Sequence, residues 1–167
     1  PVIAATAEAA QEVRMGESMG DAEILGLINA INDNEISAAE EAAKKETIPE
    51  VLSYAAMMQQ AHSENKEKTM QVGQKINLPP ATTDAVEKER KKGIKELSKL
   101  QSLQGEEFAE AYIDSMVKDH SDALELIDNK LMKNAQSPEV QAHLTETRGH
   151  VAMHLEQAKL IQAGLKG

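Results

Sequence analysis

Residues 48–76 read IPEVLSYAAMMQQAHSENKEKTMQVGQKI, and their pattern is the clearest indication of the architecture. The apolar side chains recur at alternating steps of three and four residues, which is the spacing of one buried face of an α-helix. Pro49 stands at the first helical position, where its missing N–H does no harm. His62, Asn65 and Thr69 interrupt the same face. The stretch therefore predicts a long helix that carries polar groups into a core.

The same spacing recurs on both sides of this stretch. Asp21 and Ser137 are predicted N-caps, each directly before a periodic segment. The segment NLPPATT at residues 77–83 ends the helix, because two prolines remove backbone donors and disfavour helix before them. Gly93 weakens a short lysine-rich segment with an amphipathic pattern. Helices are thus predicted at residues 21–45, 48–76, 84–104, 105–131 and 138–163.

The connections between these helices predict an all-α fold. Short turns join the first two long helices and the last two, while a long connection with a short extra helix joins the middle pair. This is the connectivity of a ferritin-like four-helix bundle. An up-down bundle with a different crossover fits the same pattern. We expect residues 21–167 to form the bundle, and residues 1–20, rich in Ala, Glu, Ser and Gly, to form a mobile arm.

Composition narrows the functional classes. Aromatic residues make up 2% of the chain against 41% hydrophobic residues, which disfavours an all-β fold. The formal net charge of −10 disfavours binding to nucleic acid or to anionic lipid. No apolar run reaches the roughly 18–20 residues of a transmembrane helix, so we expect no membrane insertion of this chain. The first residue is Pro1, which suggests a removed leader or tag.

Four polar residues interrupt the inner faces of the four long helices: Glu35, His62, His120 and His154. Burying an unpaired carboxylate and three imidazoles is unfavourable, so these groups must pair with each other, with water or with a cation. A divalent metal satisfies all four at once. Imidazole and carboxylate ligands suit Zn²⁺ best, and they also suit iron, manganese, cobalt or copper. A metal-free polar network and four unrelated positions remain alternatives.

Other combinations give weaker indications. Asp119 is either a group that orients a ligand or a surface charge. Glu146, His150 and His154 follow each other at steps of four residues, and His143 lies close to Glu146, so a surface metal site is a further hypothesis. Four methionines lie near the histidines in sequence and act either as soft ligands or, as we expect, as core filler: Met57, Met58, Met116 and Met153.

Several reaction classes are disfavoured. A carboxylate-bridged di-iron bundle has a Glu-x-x-His pair on each of two helices. Here the residues three positions before the three histidines are Gln59, Val117 and Val151. There is no cysteine nucleophile, no glycine-rich phosphate loop and no serine in a nucleophile elbow.

Residues 21–165 resemble the exported bacterial ferritin-like family called domain of unknown function four-one-four-two. The resemblance lies in EISAAEEAAKK from Glu35, IPEVLSYAAMMQQAH ending at His62, LQGEEFAEAYIDSMVKDH ending at His120, and HVAMHLEQA containing His154. The family often has Asp where this chain has Ala61. The resemblance implies a secreted, usually periplasmic, helical bundle, and it assigns no reaction.

Three functional hypotheses follow. The first is a periplasmic bundle that holds one divalent ion, with zinc favoured, through Glu35, His62, His120 and His154 for storage, buffering or structure. The second is an enzyme of unknown reaction, in which Glu35 acts as a general base beside a metal-bound water. The third is a metal-free interaction or stress-response module with a pH-sensitive histidine network.

Overall fold

A computed structural model describes residues 19–167, and all regular structure within that range is helical, as predicted. Residues 1–18, which make up most of the predicted arm, lie outside the described range. Among residues 19–167, no helix combines the length and the apolar composition needed to cross a bilayer. The helices are α1 Asp21–Ala42, α2 Pro49–Lys75, α3 Asp84–Gln101, α4 Gly105–Leu126 and α5 Pro138–Lys166. Helix α4 continues through a π-helical turn, Ile127–Leu131, and a last turn, Met132–Asn134.

The helices associate as two hairpins, with one further helix packed mainly against the first of them. Short turns join α1 to α2 and α4 to α5, so the partners in each pair pack against one another along their length. Helix α2 also contacts α5, which brings the two hairpins together. Helix α3 packs along α1 and reaches α4. At 18 residues, α3 begins at Asp84 as predicted and ends at Gln101, three residues before the predicted end.

Helix α3 runs unbroken through Gly93. A Cβ at this position would lie 2.0 Å from Oδ1 of Asn34, so a larger residue here would displace the Asn34 amide. The Asn34 amide donates a hydrogen bond of 3.0 Å to the backbone carbonyl of Glu89. Arg90 adds an ion pair of 2.9 Å to Asp33. These contacts fix α3 against α1.

The prediction that Asp21 is the N-cap of α1 is wrong. Gly20 is the N-cap, and Asp21 is the first residue of the helix. Its carboxylate accepts hydrogen bonds from the backbone N–H groups of Gln136 and Ser137, at 2.9 and 3.0 Å, and from the Ser137 hydroxyl at 2.8 Å. Ser137 is the N-cap of α5, as predicted. The start of the first helix is therefore tied to the turn that precedes the last helix.

A polar layer divides the hydrophobic core into two clusters. One cluster contains Met58, Tyr112 and Met116, and the other contains Ile24, Leu131 and Leu144. Along each long helix the chain passes from one cluster to the other, and it crosses the boundary at a polar residue. These crossing residues are the four that the sequence singles out: Glu35, His62, His120 and His154.

Candidate metal centre

Three helices each deliver one histidine to the boundary between the two clusters. His62 on α2, His120 on α4 and His154 on α5 expose only 5%, 2% and 4% of their surface. Met58 and Met116, one helical turn before His62 and His120, are fully buried and keep that side of each helix turned inward. The prediction that these three histidines face the core is confirmed.

The three rings form a nearly equilateral arrangement. Their centroids are separated by 5.7 Å for His62 and His120, 6.0 Å for His62 and His154, and 5.8 Å for His120 and His154. One nitrogen from each ring lies within 4.8 Å of the corresponding nitrogens of the other two. The rings therefore point their nitrogens at a common space.

Hydrogen bonds orient two of the rings. The Nδ1–H of His62 donates to Oδ1 of Asn32 at 2.9 Å, and the Nδ1–H of His120 donates to the backbone carbonyl of Met116 at 2.8 Å. A neutral imidazole carries one N–H, so an acceptor at Nδ1 leaves the lone pair on Nε2. Both Nε2 atoms are buried and have no hydrogen-bonding partner among residues 19–167. They present lone pairs to the common space.

A short polar chain holds Asn32 in this orientation. Its amide donates to Oδ1 of Asn65 at 2.9 Å, and the amide of Asn65 donates to the Thr147 hydroxyl at 2.9 Å. The carbonyl oxygen of Asn32 is therefore directed at His62. Asn65, which the sequence shows only as an interruption of the α2 stripe, supports the ring from a distance.

His154 presents the other ring nitrogen. Its Nδ1 is buried and has no hydrogen-bonding partner in the described part of the chain. The Tyr54 hydroxyl donates to the His154 backbone carbonyl at 3.0 Å. The ring also stacks on that of His150, with centroids 6.5 Å apart. Helix α5 is thereby held at the level where His154 meets the other two rings.

Burial keeps these imidazoles neutral. Desolvation, followed by the repulsion of charged His120 and His154, lowers the pKa of His62 to about 3. The pKa of His154 is lowered to about 4, mainly by desolvation and then by repulsion from the positive charges of His120 and His150. Desolvation also lowers the pKa of His120, although its hydrogen bond to Met116 opposes this shift. Neutral imidazole is the form that binds a metal ion.

Glu35 is buried, as predicted, with 3% of its surface exposed, but its carboxylate oxygens lie outside the group of three nitrogens. It lines a separate cavity of about 440 Å³ between α1, α3 and α4. The side chain of Asp119 lies within hydrogen-bonding reach of both Glu35 and Glu96 in this cavity. Three carboxyl groups therefore meet beside the histidines.

Burial and the neighbouring carboxylates raise the pKa values of Glu35 and Glu96. For Glu35 the main cause is desolvation, followed by the charges of Asp119 and Glu96, and its pKa lies well above the usual range. Desolvation, followed by the contact with Asp119, raises the pKa of Glu96 to about 9. A cation in the cavity would reverse these shifts, because it stabilises the ionised form.

The sequence does not predict Glu96 as a site residue, because α3 resembles a solvated lysine-rich helix. A signal was nevertheless present. Val86 and Leu100 are buried at the two ends of a stripe with steps of three and four residues. The positions between them are Glu89, Gly93 and Glu96. Glutamates interrupt this stripe as histidines interrupt the others.

The weaker candidates find other partners. His143 is buried, and its Nε2–H donates to the Thr69 hydroxyl at 2.8 Å. Glu146 pairs with Lys68. Asp119 contacts carboxyl groups, whereas the Nδ1 protons of His62 and His120 go to other acceptors.

The methionines divide between core and surface. Met58 and Met116 pack in the first core cluster, as expected of core filler. Met57 and Met153 line an open cleft of about 330 Å³, together with His150 and His154. This cleft between α2 and α5 connects the surface to one edge of the centre.

Comparison with known proteins assigns the chain to a family. The chain matches the domain of unknown function DUF4142 over residues 4–161, which is most of its length. The chain belongs to the DUF4142 family. This confirms the resemblance found in the sequence. No curated protein matches this DUF4142 chain.

Solved structures of another family share the DUF4142 fold. A DUF305 protein from Streptomyces coelicolor aligns with a TM-score of 0.73 at 12% identity, covering 88% of this chain and 94% of that one. A DUF305 fragment from Deinococcus radiodurans aligns with a TM-score of 0.74 at 14% identity, covering 86% of this chain and 95% of that one. At these identities the likeness establishes a shared fold.

Proposed function

We propose that this DUF4142 protein binds one divalent transition-metal ion through His62, His120 and His154. One observation carries the proposal: three buried imidazole nitrogens from three helices converge without hydrogen-bonding partners among residues 19–167. Each such nitrogen loses its hydrogen bonds to water on folding, which is unfavourable unless another group replaces them. A metal ion would replace all three together.

The geometry is close to what a metal needs. Zinc–nitrogen bonds of about 2.0–2.1 Å in a tetrahedral site place ligand nitrogens roughly 3.3 Å apart. The three nitrogens lie within 4.8 Å of one another, so small side-chain rotations would bring them into range. Asn32 and the Met116 carbonyl already orient two of the rings, as outer-shell partners do in metal sites. Zinc is the favoured ion, with copper, iron and manganese as alternatives.

The position of the Glu35 carboxylate decides whether the fourth coordination position of the metal is closed or open. If its carboxylate turns from Asp119 toward the histidines, it becomes the fourth ligand and closes the site, which suits storage, buffering or a structural role. If it stays in the acidic cavity, the fourth position is open to water. The position of its oxygens outside the nitrogen group favours this second mode, in which Glu35 would act as a general base in an enzyme.

The cellular setting is also part of the proposal. We infer that the protein is exported, to the periplasm or beyond, and that its hairpins form a ferritin-like bundle around the centre. The Streptomyces coelicolor structure with the same fold is described as a candidate secreted protein, which supports export. In the metal-free alternative, the three imidazoles would form an interaction or stress-response module that becomes charged at acidic pH.

Metal content separates these functions. We expect untagged protein to retain close to one equivalent of zinc after dialysis, measured by elemental analysis. A His62→Ala, His120→Ala double variant should retain none. His143→Ala is the matched control, since it removes a buried imidazole outside the group, and far-UV circular dichroism checks that each variant folds.

The same measurement has two contrary outcomes. Wild-type protein that binds no zinc, copper, iron or manganese would exclude the metal centre and leave the metal-free network. Full occupancy in the double variant would move the site toward His143 and His150. With Co²⁺ in place of zinc, an absorption spectrum that Glu35→Gln leaves unchanged would indicate an open fourth position.

A further inference from the structure

We propose that the cavity between α1, α3 and α4 is a second cation site, in which Glu35, Glu96 and Asp119 bind a hard divalent cation such as Ca²⁺ or Mg²⁺. This site differs in chemistry from the histidine centre, because its ligands are oxygens. The proposal stands whether or not the histidines bind a metal.

Unpartnered buried oxygens give the first support. Oε2 of Glu35 and Oδ1 of Asp119 are both buried, and neither accepts a hydrogen bond from an N–H or hydroxyl donor among residues 19–167; the groups around them are other carboxyls. Only 3% of the Glu35 surface is exposed, and the residue lines the cavity. Its free oxygen is therefore a group that a ligand in the cavity would satisfy.

The charges around the cavity give the second support. Within residues 19–167, none of the three carboxylates forms an ion pair with a lysine or arginine. Lys92 lies on the wall but pairs with Asp122 at 3.3 Å, and Lys118 pairs with the same carboxylate at 2.8 Å. Lys92 and Lys118 thus pair with Asp122 at the rim and act on Glu96 only from a distance, so no lysine or arginine of the described residues contacts the three carboxylates directly.

The shape of the cavity suits a hydrated hard cation. Calcium takes six to eight oxygen ligands, and magnesium keeps several waters beside one or two carboxylates. A volume of about 440 Å³ leaves room for those waters next to three carboxyl groups. Glu89 on α3 and Glu125 on α4 also line the cavity and add negative potential, which attracts cations.

The two sites would sort ions by ligand type. Imidazole nitrogens favour zinc and its transition-metal neighbours, while carboxylates with water favour calcium, magnesium and manganese. Helix α1 reaches both sites, since it carries Glu35 in the acidic cavity and Asn32, which orients His62. An occupied acidic site would hold the Glu35 carboxylate on the α3 side and leave the histidine centre with an open position.

Terbium luminescence tests the proposal. Tb³⁺ replaces Ca²⁺ at oxygen sites, avoids imidazole, and emits when a nearby tyrosine absorbs light. The chain has two tyrosines and no tryptophan. The charge of Glu35 acts on both Tyr54 and Tyr112, so both lie near the cluster. We expect saturable tyrosine-sensitised emission from the EDTA-treated full chain at pH 7.5, and its displacement by CaCl₂.

Matched variants locate the signal. Glu96→Gln should weaken Tb³⁺ binding by roughly tenfold or more, since ligand charge sets affinity at such sites. Glu87→Gln removes the same charge from an exposed position of the same helix and should leave binding unchanged. Asp119→Asn provides a second ligand variant if Glu96→Gln does not fold.

The outcomes are distinct from those of the zinc test. The His62→Ala, His120→Ala variant should lose zinc and keep its terbium signal. Absence of saturable emission would overturn the second site and would indicate that the carboxyl groups are protonated instead. Equal affinities for Glu96→Gln and Glu87→Gln would overturn it as well, because they would place the ion on the surface.

Discussion

The histidine centre and the acidic cavity lie at the same level of the core, and burial acts on them in opposite directions. In the histidine centre burial lowers the pKa values, to about 3 for His62, so the rings remain neutral at pH 7. In the cavity burial raises the pKa values, to about 9 for Glu96. In both regions desolvation favours the neutral form of the buried side chains. A neutral imidazole is ready to bind metal, whereas a neutral carboxyl group must first lose its proton.

The two regions also differ in how firmly their side chains are held. Asn32 and the Met116 carbonyl fix two imidazole rings from behind. The carboxyl groups of Glu35, Glu96 and Asp119 mainly contact one another. We therefore expect a preorganised centre beside an adaptable one, and the following experiments test that difference from the largest effect to the smallest.

Zinc should stabilise the protein strongly through the histidine centre alone. At a free concentration about one thousand times the Kd, a ligand that binds only the folded state adds roughly 4 kcal/mol to the free energy of unfolding. His120→Ala should lose this gain, and His143→Ala should keep it. Urea unfolding followed by circular dichroism, with and without zinc, measures the difference. An equal zinc effect in both variants would contradict the assignment.

Preorganisation predicts that Asn32 controls zinc affinity without touching the metal. Asn32→Ala removes the acceptor that keeps the His62 proton on Nδ1. Zinc affinity should fall by about 10–100-fold, as for other outer-shell partners. A competition titration against a chromophoric chelator measures the change. Asn34→Ala is the control, since the Asn34 amide lies on the same helix but donates to the Glu89 carbonyl, and it should alter affinity much less.

A substitution at Gly93, which lines the acidic cavity, should perturb that cavity and leave the histidine centre intact. A Cβ at this position would overlap the Asn34 amide, so either that side chain must rotate and lose its bond to Glu89 or α3 must shift. Gly93→Ala should lower the free energy of unfolding by about 1–3 kcal/mol, the usual effect of overpacking. It should weaken terbium binding while zinc stoichiometry stays at one. Loss of zinc together with terbium would show that the two regions are not independent.

The acidic cavity predicts a pH dependence of stability in metal-free protein. The folded-state pKa of Glu96 is raised, so its contribution to stability is fully present below its unfolded pKa and is lost as pH rises toward about 9. Thermal unfolding in EDTA should therefore show a melting temperature that falls by a few degrees between pH 6 and 9. Glu96→Gln should flatten this decline, and Glu87→Gln should reproduce the wild-type curve.

Much of the fold could be predicted from local patterns. Apolar residues at steps of three and four predict helices α2, α4 and α5. His62, His120 and His154 occupy positions of the same pattern, which places them on the inner faces. Helix ends near Pro49 and Pro138 follow from local backbone chemistry. These features depend on residues a few positions apart, which a sequence displays directly.

The remaining features depend on partners far away in the chain. Asp21 fits the local pattern of an N-cap, but its acceptors serve a turn more than 110 residues later. Glu35 shares an inner face with the histidines, yet its nearest charged partners are Asp119 and Glu96. The packing of α3 against α1 decides this contact. Helical periodicity says which face is buried, but it does not say against which helix.

The bridge from Asp21 to residues 136 and 137 has a consequence for folding kinetics. Each hairpin contains mainly local contacts, which form quickly, whereas this bridge joins residues 115 and 116 positions apart and requires both hairpins to be docked. We expect it to form after the transition state. Asp21→Asn should then accelerate unfolding in stopped-flow experiments and leave the refolding rate nearly unchanged. The Asp21 carboxylate would thus slow the separation of the two hairpins during unfolding.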